Sequence, residues 1–185
     1  MPDKGKARKK PSAFDKFIVD VLKAEGGRAP ASQEKREGGR TKFGIFEKAH
    51  PEVWEDGDVT LAEATQIYRL YYWDAVRGDE VNEISQKLAL SMFDWAVNAG
   101  PQRAVIFLQR CLGVEPAIGK FARLTMKALQ QCEDVDALVE KYNKMRDDYY
   151  ANLVAKNAAK YGAYKNGWKN RMSTLRKRLG ELNDR

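Results

Sequence analysis

"SAFDKFIVDVLKAEGG", residues 12–27, reads as an amphipathic helix that ends on a carboxylate. Ser12 can cap the start, with Asp15 three positions on as its capping-box partner. Phe14, Phe17, Ile18, Val21 and Leu22 recur at the three- and four-residue spacing of one buried face. Glu25 is the next position on that face. Gly26 and Gly27 then supply a stop, because glycine takes the left-handed C-cap conformation easily. A charged residue closing an apolar stripe needs a reason.

Outward from this segment the pattern stays helical, with no alternating strand run of useful length and no internal repeat. Residues 26–41 form a polar, glycine-rich stretch that could bend into a short hairpin. A helix is expected from about Thr60, with Leu61, Ala64, Ile67, Tyr68 and Tyr71 as its stripe. "ISQKLALSMFDWAVNAG" (84–100) is apolar on nearly all sides, the signature of a helix at the centre of a bundle. "PQRAVIFLQRCLG" (101–113) follows, opened by Pro101 and stopped by Gly113. "FARLTMKALQQ" (121–131), a long polar helix over about 134–159, and a loop with a last basic helix over 161–179 complete the set.

The expected fold class is therefore mainly α, with a short loop or hairpin after the first helix. At 185 residues the chain can bury roughly 70% of its unfolded surface in one unit. No linker rich in Pro, Gly or Ser divides it. We expect a basic tail over 1–11, a first functional region over 12–80 and a helical segment over 81–180 packed into the same unit.

Hydrophobic residues at 43% against 32% charged are a globular balance, and no stretch approaches the ~20 apolar residues of a membrane span. The basic N-terminus "MPDKGKARKKPSAF" lacks the apolar core of a signal peptide, so synthesis in the cytoplasm without an anchor is expected. The net charge of +7 gathers in the first ten residues and in "KNGWKNRMSTLRKRLG" (165–180), which suits an anionic partner. A groove-reading motif is missing, so nucleic acid is not the expected one. Cys111 and Cys132 are too few for a disulfide or zinc framework and read as free thiols.

Several chemistries are excluded by residue type. The single histidine, His50, cannot furnish a zinc site, and neither a P-loop nor a dinucleotide fingerprint is present. No metal or cofactor is expected, and carboxylate chemistry remains. Glu25 suits a general acid on three counts. An apolar stripe favours the neutral carboxyl, the negative end of the helix dipole does the same, and the paired glycines leave room for a bulky ligand. The competing reading is a terminal glutamate turned to water. Asp94 and Asn98 share one side of the most apolar helix, either as structural ties or, for Asn98, as a contact to a substrate amide. Tyr72 and Trp73 are either core or flat platforms for a sugar ring.

"EGG" at 25–27 and "GGRTKFGI" at 38–45, followed by "YYWDAV" at 71–76, "LSMFDWAVNAGPQRAVIFLQRCLGV" at 90–114 and "GWKNR" at 167–171, resemble glycoside hydrolase family 108. These are the phage-type N-acetylmuramidases with a predicted peptidoglycan-binding segment. The likeness spans about residues 13–179. It implies a lysozyme-like helical domain that cleaves the β-1,4 bond between N-acetylmuramic acid and N-acetylglucosamine. Glu25 matches the catalytic glutamate and Thr41 the threonine after the second Gly-Gly. Peptidoglycan strands are then the substrate. The basic tails would meet anionic wall or outer-membrane surfaces, and a holin-type membrane protein would release a monomeric endolysin to its site of action in the periplasm.

Between those two motifs the chain departs from the family pattern. Arg28 stands where an aromatic residue is common, and the usual aspartate has no clean equivalent. Counting from Glu25, Glu34 takes its place; counting back from Gly38, Arg36 does, with Glu37 beside it. Glu34, with Thr41, could hold a water opposite Glu25. Without such a partner, a lone Glu25 suits a lytic transglycosylase. A cell-wall-binding protein without activity is the remaining alternative.

Overall fold

The computed structural model describes residues 11–25, 32–34 and 39–182; the basic stretch 1–10 and the residues Arg28, Arg36 and Glu37 lie outside them. Helix α1 (Ala13–Ala24) begins as its sequence dictates: Ser12 Oγ accepts from Asp15 N, and the Asp15 carboxylate accepts from Ser12 N at 2.8 Å. Phe14, Phe17, Ile18, Val21 and Leu22 are all buried.

A three-stranded antiparallel sheet follows: β1 (Ser32–Glu34), β2 (Gly39–Lys42) and β3 (Ile45–Phe46), in that spatial order. The polar stretch therefore runs further than expected, since β3 extends it to Phe46. Lys42 pairs with Ile45, leaving Phe43 and Gly44 as a two-residue turn, both at positive φ (53° and 74°). That pair of left-handed residues matches the twist of the flanking strands. Glycine adopts it freely, whereas Phe43 is held there by burial of its ring and by a hydrogen bond from Tyr68 Oη to its carbonyl at 2.9 Å.

Helix α2 (Leu61–Tyr68) opens with a second capping box, Thr60 with Glu63. Ala64, Ile67 and Tyr68 form its buried face, but Leu61 and Tyr71 are exposed rather than part of the stripe. Beyond Tyr68 the helix widens into a π turn over Arg69–Trp73, and this change of period carries Trp73 inward in place of Tyr71. Helices α3 (Gly78–Ile84), α4 (Gln86–Ala99) and α5 (Pro101–Cys111) come next, then α6 (Arg123–Gln130), the long α7 (Val135–Lys156), a short α8 (Ala158–Tyr161) and α9 (Lys165–Gly180).

α4 is the axis of the molecule. Every residue from Leu88 to Ala96 is buried, and α1, α3, α5, α7 and α9 all pack on it. Beside it, Trp73 is 0% exposed and meets Phe14, Phe17 and Phe93 at centroid distances of 5.4–5.9 Å. Cys111 and Cys132 are free thiols, and burial pushes the Cys111 thiol up to about 11. Among the described residues no helix is long and apolar enough to cross a membrane.

Gly78 opens α3 directly under Trp73, where an added Cβ would lie 2.3 Å from the indole ring. The ring is locked by its neighbours and cannot retreat cheaply. Gly78→Ala is therefore expected to destabilise the fold by about 1–3 kcal/mol, although alanine is the better helix former. Denaturant titration measures the sign directly.

Candidate functional site

Glu25 is the C-cap residue of α1, its N–H donating to Val21 O at 2.9 Å. The helix thus delivers the carboxylate at the point where the chain leaves it. The side chain is 26% exposed, neither sealed in the core nor fully in water. The β2–β3 turn presses against it: an added Cβ on Gly44 would lie 2.9 Å from Glu25 Cβ and 2.6 Å from Tyr68 Oη. Tyr68 and half-buried Tyr72 complete this wall, their rings 5.4 Å apart. Burial first, and the negative charge of Glu25 second, raise both phenols above their ordinary value, so both hydroxyls remain donors at neutral pH.

On the other side stands a residue from α9. Arg171 Nη1 donates to Glu25 Oε1 at 2.8 Å. The same guanidinium binds Asp94 of α4 twice, through Nε to Oδ1 at 3.0 Å and through Nη2 to the backbone carbonyl at 3.3 Å. Asp94 Oδ2 accepts from Arg146 Nη2 of α7 at 2.5 Å. Arg146 is fully buried; it also reaches Ser91 O and lies 4.9 Å over the Trp95 ring. The result is an alternating chain of charges, Glu25, Arg171, Asp94, Arg146, across four helices. Burial works against a charge on Asp94. The two arginines outweigh it and hold its carboxyl below the ordinary carboxylate range.

The other sequence-derived candidates divide. Thr41 lies in β2, half-buried, paired with Ser32 and Phe46. Glu34 lies in β1 opposite Gly39; its side chain, like all of Glu37, lies outside the described residues. Trp73 is core, with no face left for a sugar, because the π turn buries it. Tyr72 flanks Glu25 as described. Asn98 is exposed at the end of α4 and accepts from Tyr150 Oη at 2.6 Å. It lines a groove of about 790 Å³ shared with Asp94, Tyr164, Trp168 and Arg171.

Sequence reasoning gave Arg146 no role and assigned no part beside Glu25 to Tyr68, Arg171 or the Phe43–Gly44 turn, although Tyr68 stood in the α2 stripe and the others in the motifs GWKNR and GGRTKFGI. One signal was available: a buried Asp94 demands a cationic partner, and the basic last helix was the nearest supply.

Two outcomes follow from this geometry. Asp94→Asn leaves Arg146 without its counter-charge and is expected to cost about 3–5 kcal/mol. Because the Asp94 carboxyl sits below its unfolded value of ~3.9, its contribution is complete above that pH and fades as pH falls further, a component of acid unfolding that the variant will lack. Chemical denaturation between neutral and acid pH measures both. Gly44→Ala combines a left-handed φ, worth about 1–2 kcal/mol, with a clash into Glu25, so melting temperature and turnover should fall together.

Residues 18–100 match the model of the Glycosyl hydrolase 108 family, and residues 103–173 match that of the Predicted Peptidoglycan domain. Among solved structures, that of Brucella abortus SagA is similar with a TM-score of 0.68 at 28% identity, covering 90% of this chain and 92% of that one. No curated protein matches. The first matched segment holds Glu25 and Asp94, and the second holds Arg146 and Arg171, so the charge chain crosses from one to the other. The chain thus joins a segment of the Glycosyl hydrolase 108 family, residues 18–100, to a Predicted Peptidoglycan domain, residues 103–173.

Proposed function

We propose that this glycoside hydrolase is an N-acetylmuramidase that cleaves the β-1,4 bond between N-acetylmuramic acid and N-acetylglucosamine in peptidoglycan. The observation that carries the reading is Glu25 itself. A partly buried carboxyl at the end of α1 is walled by the β2–β3 turn, within the segment that matches the family model. In this reading Glu25 protonates the leaving glycosidic oxygen as the bond breaks and an oxocarbenium-like sugar forms. Thr41 and Glu34, on paired strands of the hairpin, hold the attacking water on the opposite face of the ring. Tyr72 and Asn98 contact the glycan.

The biological setting we assign is lysis by a phage or prophage endolysin. It would be made in the cytoplasm, released by a holin-type partner, and drawn to anionic wall or membrane surfaces by its basic ends.

The departure from the family's aspartate supports one alternative, a lytic transglycosylase in which the muramic acid's own hydroxyl attacks. Mass spectrometry of muropeptides released by wild type and Glu25→Gln tests the whole reading. Release by the variant should fall by on the order of 10²–10⁴-fold while peptidoglycan binding persists. A reducing muramic acid end identifies hydrolysis, a 1,6-anhydro end the transglycosylase. Undiminished release by Glu25→Gln removes Glu25 from the acid role.

A further inference from the structure

Arg171 lies 146 positions beyond Glu25 and reaches it from the last helix, in the segment that matches the predicted peptidoglycan domain. We infer that Arg171 is a positioning residue for Glu25, so that the second segment completes the catalytic centre rather than serving only to hold the wall polymer. This rests on Glu25 being the acid.

The geometry of the fork supports it. Two contacts to Asp94 fix the guanidinium plane, and Nη1 is left pointing at Glu25 Oε1. Asp94 is fixed in turn by fully buried Arg146. Arg171 is therefore preorganised, with only 13% of its side chain exposed, whereas Glu25 is a cap residue with 26% of its side chain exposed. Among the described residues no other donor holds the Glu25 carboxyl. With Oε1 engaged by Arg171, Oε2 is the oxygen that carries the proton towards a glycosidic oxygen.

Charge favours the same arrangement. As the proton leaves Oε2, negative charge grows on the carboxyl, and the neighbouring guanidinium stabilises it without having to move. That interaction strengthens along the reaction coordinate, which is the condition for lowering the barrier rather than merely tightening binding. Lysine cannot replace it, since one ammonium cannot span Glu25, Asp94 Oδ1 and the Asp94 backbone carbonyl in a single plane.

A simple brace between α1 and α9 would give the same ion pair, and kinetics separate the two roles. The full-length chain is assayed on soluble glycan fragments as wild type, Glu25→Gln, Arg171→Ala and Arg171→Lys, with and without non-denaturing guanidinium chloride. Arg171→Ala is expected to lose kcat on the order of 10²-fold with KM little changed, and added guanidinium should recover much of that loss. Glu25→Gln should stay inert in guanidinium. Arg171→Lys, which keeps the charge, carries the test if Arg171→Ala does not fold; it should lose kcat by roughly tenfold at wild-type KM.

A variant that melts early but keeps its kcat makes Arg171 a brace and overturns the inference, as does a loss confined to KM. Activity in Arg171→Ala beside an inert Glu25→Gln sinks the inference alone. Full activity in Glu25→Gln sinks the acid assignment and the inference together.

Discussion

One buried carboxylate between two guanidinium groups holds this molecule in its active shape. Asp94 lies on the central helix, with Arg146 on one oxygen and Arg171 on the other. Stripping water from three charged groups is expensive, and no single pair among them would recover that cost reliably. The arrangement succeeds because each charge has more than one partner. Arg146 adds a backbone carbonyl and the face of Trp95, and Arg171 adds a second carbonyl and Glu25. Read from end to end, the four charges cancel. The candidate acid occupies the outermost position, the only one of the four that is substantially wet.

This order explains why Glu25 can be anchored and still available. Its backbone is set by the end of α1, the hairpin turn at Gly44 lies against its stem, and one oxygen is held by Arg171. Three different parts of the chain converge on one side chain: the first helix, the hairpin turn and the last helix. Loss of the turn or of the Arg171 contact would leave the carboxyl in the same neighbourhood but with more freedom. Effective catalysis tolerates little of that, because a misplacement of about 1 Å can cost on the order of 10²-fold in rate.

What the sequence disclosed was local. The Ser12–Asp15 capping box, the buried face of α1 and the all-round burial of α4 follow from spacing within a turn or two, and each is present. The mainly helical class followed from the same periodicity. Elements that depend on distant partners were less legible. Strand β3 is two residues long and owes its existence to pairing with β2, so it has almost no pattern of its own. The π turn that buries Trp73 and exposes Tyr71 leaves no mark in a stripe drawn at constant period. At the site, Glu25 was visible because a carboxylate interrupts an apolar face. Arg171 was hidden among seven other basic residues between 156 and 178, and only the fold distinguishes the one that turns inward.

The joining of the first helix to the last also sets a timetable. During synthesis α1 and the hairpin leave the ribosome early, while Arg171 follows 146 residues after Glu25. A growing polypeptide therefore carries Glu25 long before it carries the arginine that binds it. The opening helix by itself is therefore an unfinished site, and the ion pair at Glu25 forms only once α9 has docked.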